Sequence, residues 1–188
     1  MLTTKPLTKA IKNDKETFAH VKDLYYSAFP RQEQVNLSFL INQTKKDTVN
    51  FNVFYDEDVF VGLTYDISFK DTTYLWYLAT RADLRSKGYG SQIMQYLREA
   101  YSSNRIVLNL DVQDESAADS EIRKKRKEFY IKNGYTLADY SCVFNRNKLD
   151  VMSINGNVTS DEFLSIFKNY FGPIVYLLAK PKIIPLAK

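Results

Sequence analysis

The stretch Arg85-Ser86-Lys87-Gly88-Tyr89-Gly90-Ser91 limits what this chain can fold into more than any other. The apolar run Tyr74 to Thr80 before it reads as a strand. After it, apolar residues at 93, 97, 100 and 101 recur at helical spacing. The order is strand, glycine turn, helix. Two glycines let the backbone turn tightly and leave room for a ligand, and the N–H groups of a new helix point at whatever sits there. Such a place favours phosphate, and Arg85 and Lys87 add positive charge. The dinucleotide fingerprint needs a third glycine where the chain has Ile93, and a Walker-type loop needs Gly-Lys-Ser/Thr, which is absent. A tight turn that merely feeds a helix is the alternative reading of these residues alone.

The 188 residues fit one domain, 1–188, and 45% hydrophobic content is ample for a sizeable core. A net charge of +4 suits an anionic small ligand or a mildly acidic partner, and no base-reading motif points to nucleic acid. The single cysteine, Cys142, rules out an intramolecular disulfide and a cysteine-based metal cluster, so a reducing cytoplasm is the expected location and no metal is expected. No run approaches the roughly 18 apolar residues of a membrane span, and no membrane partner is expected. A monomer or a homodimer is expected.

Along the chain, Leu7 and Ile11 mark a first strand. Asp14 caps a helix with Glu16 in its first turn and Phe18, Val21, Leu24, Tyr25 and Ala28 as its stripe, ended by Pro30. A second helix is predicted from Leu37 to Lys45, with Phe39, Leu40 and Leu37 towards the core. Thr48 to Tyr55, Val59 to Phe69 and Thr73 to Thr80 read as an antiparallel meander. After the glycine turn and its helix come a strand from Arg105 to Gln113, a helix from Ala117 to Asn133 stopped by Gly134, and a strand from Tyr135 to Phe144. Leu149 to Ile154 is a short strand, Ser160 to Tyr170 a helix closed by Phe171-Gly172-Pro173, and the tail beyond a docked strand. This order predicts an α+β fold with a mixed, mainly antiparallel central sheet and helices on both faces, carrying a C-terminal strand and helix extension from about 147.

The stretch Tyr74 to Met94, with Arg85, Gly88 and Gly90 as Arg-x-x-Gly-x-Gly, resembles the acetyl-CoA signature of the GNAT superfamily of N-acetyltransferases. A second match lies downstream: Tyr130-Ile131-Lys132-Asn133-Gly134-Tyr135 is similar to that family's Tyr-x-x-x-Gly-Phe/Tyr. The likeness covers roughly residues 10 to 146 and implies a GNAT-like acyl-CoA N-acyltransferase fold. It implies acetyl-CoA as co-substrate, with the amides of Ser86, Lys87, Gly88, Tyr89, Gly90 and Ser91 on the pyrophosphate beside Arg85, and the backbone of Leu78 and Thr80 on pantetheine. It also implies Tyr130 as the acid that protonates the departing thiolate, and a phenol of pKa about 10 is protonated at neutral pH and suited to that task. One departure stands out: the family's asparagine seven residues before this tyrosine is Arg123 here, and Arg126 takes the place of a common alanine. Arg123 and Arg126 share a helix side with Tyr130, so Arg126 joins the candidate cofactor contacts, while the run Arg123 to Lys127 is otherwise a solvated face.

The resemblance implies direct attack of an amine on the thioester, with the acceptor, a small-molecule or peptide amine, chosen by residues near 25 to 45 and by loops. For the base, Asp111, Glu33, Glu115 and Asp66 are the candidates, with an ordered water as the alternative. His20 reads as structural or exposed, Cys142 as a small core residue, and Trp76 or Tyr77 as core with one side able to face an acceptor. The alternative function is a CoA-binding sensor or interaction module without turnover.

Overall fold

The protein is described by a computed structural model that covers residues 2–8 and 14–186. Ile11 lies outside those residues. The described chain forms eight strands and five α-helices. The strands make one mixed, mainly antiparallel sheet in the order β1-β2-β3-β4-β5-β7-β6-β8. Two compact units divide it: Met1–Ile67 with Leu75–Ala100, and Ser68–Tyr74 with Tyr101–Lys188.

In the first unit, β1 (Leu2–Pro6) runs antiparallel to β2 (Val49–Asp56), and β2 antiparallel to β3 (Val59–Phe69). Helix α1 (Lys15–Ala28) starts where Asp14 accepts hydrogen bonds from the Thr17 N–H (3.0 Å) and hydroxyl (2.8 Å), and it buries Val21, Leu24 and Tyr25. Helix α2 (Leu37–Gln43) is capped by Asn36, which accepts from the Phe39 N–H at 3.1 Å. Its inward stripe is Leu37, Leu40 and Ile41, an i, i+3, i+4 set, so Phe39 falls off the stripe and is 39% exposed rather than in the core. A bulge at Phe54/Tyr55 splits the β2–β3 register. The pair Phe54↔Gly62 faces α3 (Tyr89–Ala100), through Tyr96 against Phe54 and Ile93 beside Gly62. The next pair, Tyr55↔Phe60, faces α1 through Thr17 and His20. The two helices therefore cover opposite faces of this part of the sheet.

Gly62 leaves no room for a side chain against β4 (Thr72–Thr80): a Cβ there would lie 2.5 Å from the Ala79 carbonyl oxygen and 3.2 Å from Ile93 Cδ1. Backbone cannot swing aside as a side chain can. Gly62→Ala is expected to cost about 2 kcal/mol by overpacking, seen as a Tm lowered by roughly 4–8 °C. A thermal melt unchanged by the substitution contradicts this packing.

In the second unit, the first residues of β4 run parallel to β5 (Arg105–Asp111), from Thr72↔Arg105 to Tyr74↔Val107. The remaining pairings are antiparallel: β5 with β7 (Asn147–Ile154), β7 with β6 (Thr136–Phe144), and β6 with β8 (Lys182–Pro185). The acidic stretch 114–116 does not open a helix. Asp114 accepts from the Ser116 N–H (2.9 Å) and hydroxyl (2.6 Å) in a local turn, and α4 (Ser120–Lys132) begins later. Gly134, at φ +89°, ends that helix as its position predicts. Helix α5 (Ser160–Ala179) buries Phe163, Ile166, Phe167 and Tyr170, with Phe163 and Phe167 against Tyr74. Gly172 breaks it at φ +75°, ψ +168°, but the chain is helical again to Ala179 because Pro173 suits a first helical position. The tail is thus helix first, with only Lys182–Pro185 as strand.

Arg105 ties the start of α5 to the sheet, donating to Glu162 (2.7 and 3.0 Å), to Asp71 (2.8 Å) and to the Asn157 carbonyl (2.8 Å). Glu162 also closes a capping box with Thr159. The Arg105 guanidinium, and then the Thr159 N–H, hold the Glu162 carboxyl down at about 2. A folded-state pKa below the unfolded one stabilises at high pH. The contribution is complete above the ordinary 4.5 and is lost as pH falls towards about 2. Because the pair is part-exposed, solvent screening limits it to about 1 kcal/mol. Glu162→Gln should therefore lower stability at pH 7 and flatten its fall between those two pH values; an acid melt parallel to wild type contradicts it.

Candidate active site

The glycine stretch of the first unit lies on one continuous strand, turn and helix. On β4, Leu75, Tyr77 and Ala79 are buried, whereas Trp76, Leu78 and Thr80 form a half-buried strip on alternate positions. A 3-10 turn, Ala82–Leu84, follows, where Arg81 donates to Asp83 (2.6 and 3.1 Å) and to the Phe60 carbonyl (3.3 Å). The chain then turns through Ser86 at φ +63° and Gly88 at φ +87°. Helix α3 opens at Tyr89, so Tyr89, Gly90 and Ser91 form its first turn, and the first helical bond runs from the Gln92 N–H to the Gly88 carbonyl (3.1 Å). The Arg85 and Lys87 side chains are exposed at this helix start. Tyr89 anchors it, its hydroxyl donating to Asp56 at 2.7 Å, and that carboxylate raises the Tyr89 pKa.

The same unit fixes the connection between α1 and α2. Tyr77 donates to the Glu33 carbonyl (2.6 Å), and Tyr25 donates to the Val35 carbonyl while accepting from the Val35 N–H, both at 2.9 Å. Gln34 donates to the Phe29 carbonyl (2.7 Å). Tyr77 is core, edge-on to Tyr25 and Phe29; Trp76 stacks on it at 5.5 Å. Asp66 is fully buried and accepts from Asn50 at 3.2 Å, which excludes direct contact with an acceptor in this conformation. His20 is exposed and stacks on Phe60.

In the second unit, Tyr130 is half-buried near the end of α4, between Phe129 and Tyr135. Burial pushes its phenol up to about 12, and the Arg126 cation draws it back down. It is protonated at neutral pH. Arg126, one helical turn earlier, meets Asp111 at 3.4 Å. Asp111 is the last residue of β5, not mid-strand, and this ion pair occupies it. Arg123 donates to Asp119 (2.8 Å) and to the Val112 carbonyl (3.1 Å), which stitches the β5–α4 connection. Lys127 pairs with Asp150 at 2.8 Å. Glu115 is exposed. Cys142 is fully buried, and burial pushes its thiol up to about 11. Among the described residues no group of His, Cys, Asp and Glu could hold a metal ion, and no helix is long and apolar enough to cross a membrane.

The family model described as Acetyltransferase (GNAT) domain matches residues 47–137, the span from β2 through α4 into β6. Residues 47–137 thus resemble a GNAT acetyltransferase domain. The GNAT fold extends further than that match. A GNAT-family protein of Bacteroides thetaiotaomicron is similar in structure at 24% identity, over 93% of this chain and 98% of that one, with a TM-score of 0.70. An aminoglycoside 6'-N-acetyltransferase complexed with coenzyme A is similar at 17% identity over 81% and 95%, TM-score 0.64. The ribosomal-protein-S18-alanine N-acetyltransferase of Escherichia coli is similar at 14% identity over 86% and 97%, TM-score 0.59. A comparison with curated proteins returns no match.

Three features of this region have no local sequence signal. The Tyr89–Asp56 bond joins residues 33 apart, Arg126–Asp111 joins residues 15 apart, and the left-handed Ser86 is not a glycine. Tyr89 entered the sequence reading only as a backbone donor; its side chain turns out to secure the helix start.

Proposed function

We propose that this protein transfers the acetyl group of acetyl-CoA to a primary amine. The observation that carries the reading is the strand–turn–helix at Gly88, inside a GNAT domain: a helix start with Arg85 and Lys87 exposed beside it, suited to a pyrophosphate. The coenzyme A complex of the similar aminoglycoside 6'-N-acetyltransferase supports the same ligand. Bound acetyl-CoA supplies an activated acyl group with a thiolate leaving group. Amides of residues 86 to 91 bind its pyrophosphate, and the half-buried strip with Leu78 and Thr80 serves its pantetheine. The amine nitrogen bonds to the carbonyl carbon, the carbon–sulfur bond breaks, and Tyr130 gives the sulfur its proton. The amine's own proton goes to Glu33, Glu115 or an ordered water, because Asp66 is enclosed and Asp111 is paired.

The acceptor is a small-molecule or peptide amine, in keeping with the aminoglycoside and protein-alanine substrates that similar structures are named for. The connection held by Tyr25 and Tyr77 presents it. One observation favours a second reading, a CoA-binding sensor. Arg123, at the family's asparagine position, is spent on Asp119 and the Val112 carbonyl. Calorimetric titration with CoA, followed by mass spectrometry of an amine panel incubated with acetyl-CoA, separates the two. The enzyme reading expects both binding and an acetylated amine; binding without product in any amine supports the sensor.

A further inference from the structure

The second half of α5 displays apolar side chains that a surface helix ordinarily turns inward. Ile174, Leu177 and Leu178 are 77%, 71% and 87% exposed, and Val175 is 48% exposed. Their spacing, i, i+3 and i+4, puts them on one face, and no charged residue lies between Pro173 and Ala179. The first half of α5 uses the same spacing in Phe163, Ile166, Phe167 and Tyr170 to bury itself. The break at Gly172 resets the helix direction, and the second stripe points outward as a result.

We infer that this face is where two copies of the chain meet, α5 against α5 around a two-fold axis. Rows at i+3 and i+4 are the ridges by which one helix seats in another. A purely aliphatic ridge carries no charge pattern to select a different partner, whereas across a two-fold axis it is complementary to itself. From the exposures above, the four residues present on the order of 500 Å², within the roughly 300–600 Å² of the largest patches on monomers. Paired with a copy they bury at most about 1,000 Å² in all, which suits a weak, concentration-dependent association. Strand addition is a poorer route, because the neighbouring edge strand β8 carries Lys182 and Pro185, which blunt edges. A lipid surface fits less well: the segment is two turns long and carries no lysine or arginine of its own, the exposed lysines Lys168, Lys180 and Lys182 lying outside it. The inference is independent of acetyl transfer.

Sedimentation velocity of the full chain over about 1–100 µM tests it by mass action. The expected species has twice the 21.9 kDa chain mass, and Leu177→Glu with Leu178→Glu reduces it to one chain with an unchanged far-UV spectrum. Leu178→Cys provides a check free of that charge change, since Cys142 is buried. Under copper phenanthroline it should form a covalent dimer at least tenfold faster than Glu57→Cys. Single-chain mass throughout, a dimer indifferent to the double substitution, or equal cross-linking of the two cysteine variants overturns the inference. Pelleting of a single-chain species with phosphatidylglycerol vesicles overturns it in favour of a lipid surface.

Discussion

Tyr130→Phe is expected to lower kcat by about 10²–10⁴-fold, the usual contribution of a positioned general acid, with CoA affinity changed less than about threefold. The phenylalanine keeps the ring that packs between Phe129 and Tyr135, so folding and binding should survive. What is lost is the proton. Burial holds the phenol protonated, up to about 12, so wild-type activity should show no basic limb from Tyr130 across the neutral range. Rapid kinetics with acetyl-CoA and a competent amine, beside calorimetric CoA titration, reads both quantities. Equal kcat in the variant removes Tyr130 from the reaction, and a matched loss of CoA affinity makes it a binding residue instead.

Gly88→Val is expected to weaken CoA binding at least about tenfold, through the backbone rather than by steric overlap. A Cβ at Gly88 would meet nothing nearer than Gln92 Nε2 at 4.0 Å, so there is room for a side chain. The cost lies in φ +87°, a region that a β-branched residue occupies at a cost on the order of 1–3 kcal/mol. Relief of that strain would rotate the amides that start α3 away from an anion. Gly88→Ala should show a smaller loss and Gly88→Asn the smallest, because asparagine tolerates left-handed backbone. The ranking Val, Ala, Asn tracks φ and not volume; unchanged affinity in the valine variant takes the glycine turn out of the cofactor site.

Local order was the part of the fold most legible in the sequence. The Asp14 cap, the meander, the strand–glycine–helix unit and the Gly134 stop each depend on residues within about one turn of one another, and the structure has all of them. Failures came where a segment's direction is decided by distant packing. Phe39 looked like core until Leu37, Leu40 and Ile41 claimed the inward face of α2. The tail read as strand because Ile, Val and Leu suit strands, yet Pro173 restarts a helix there. Asp111 stood among the candidate bases, and a positional reading had no means of bringing Arg126 to it from the next helix. The candidate site follows the same rule. Its glycine turn and its tyrosine are visible in short motifs, while the Tyr89–Asp56 anchor and the tyrosine clamp on residues 33 and 35 arise only from folding.

The most direct test of the account follows free thiol and acetylated amine together, in one reaction with acetyl-CoA and a panel of small-molecule and peptide amines. Direct transfer predicts at least one amine that yields the two products in equal amounts and at equal rates, with no acetyl group left on the protein. CoA binding with no thiol released by any amine, or thiol released without an acetylated amine, contradicts it.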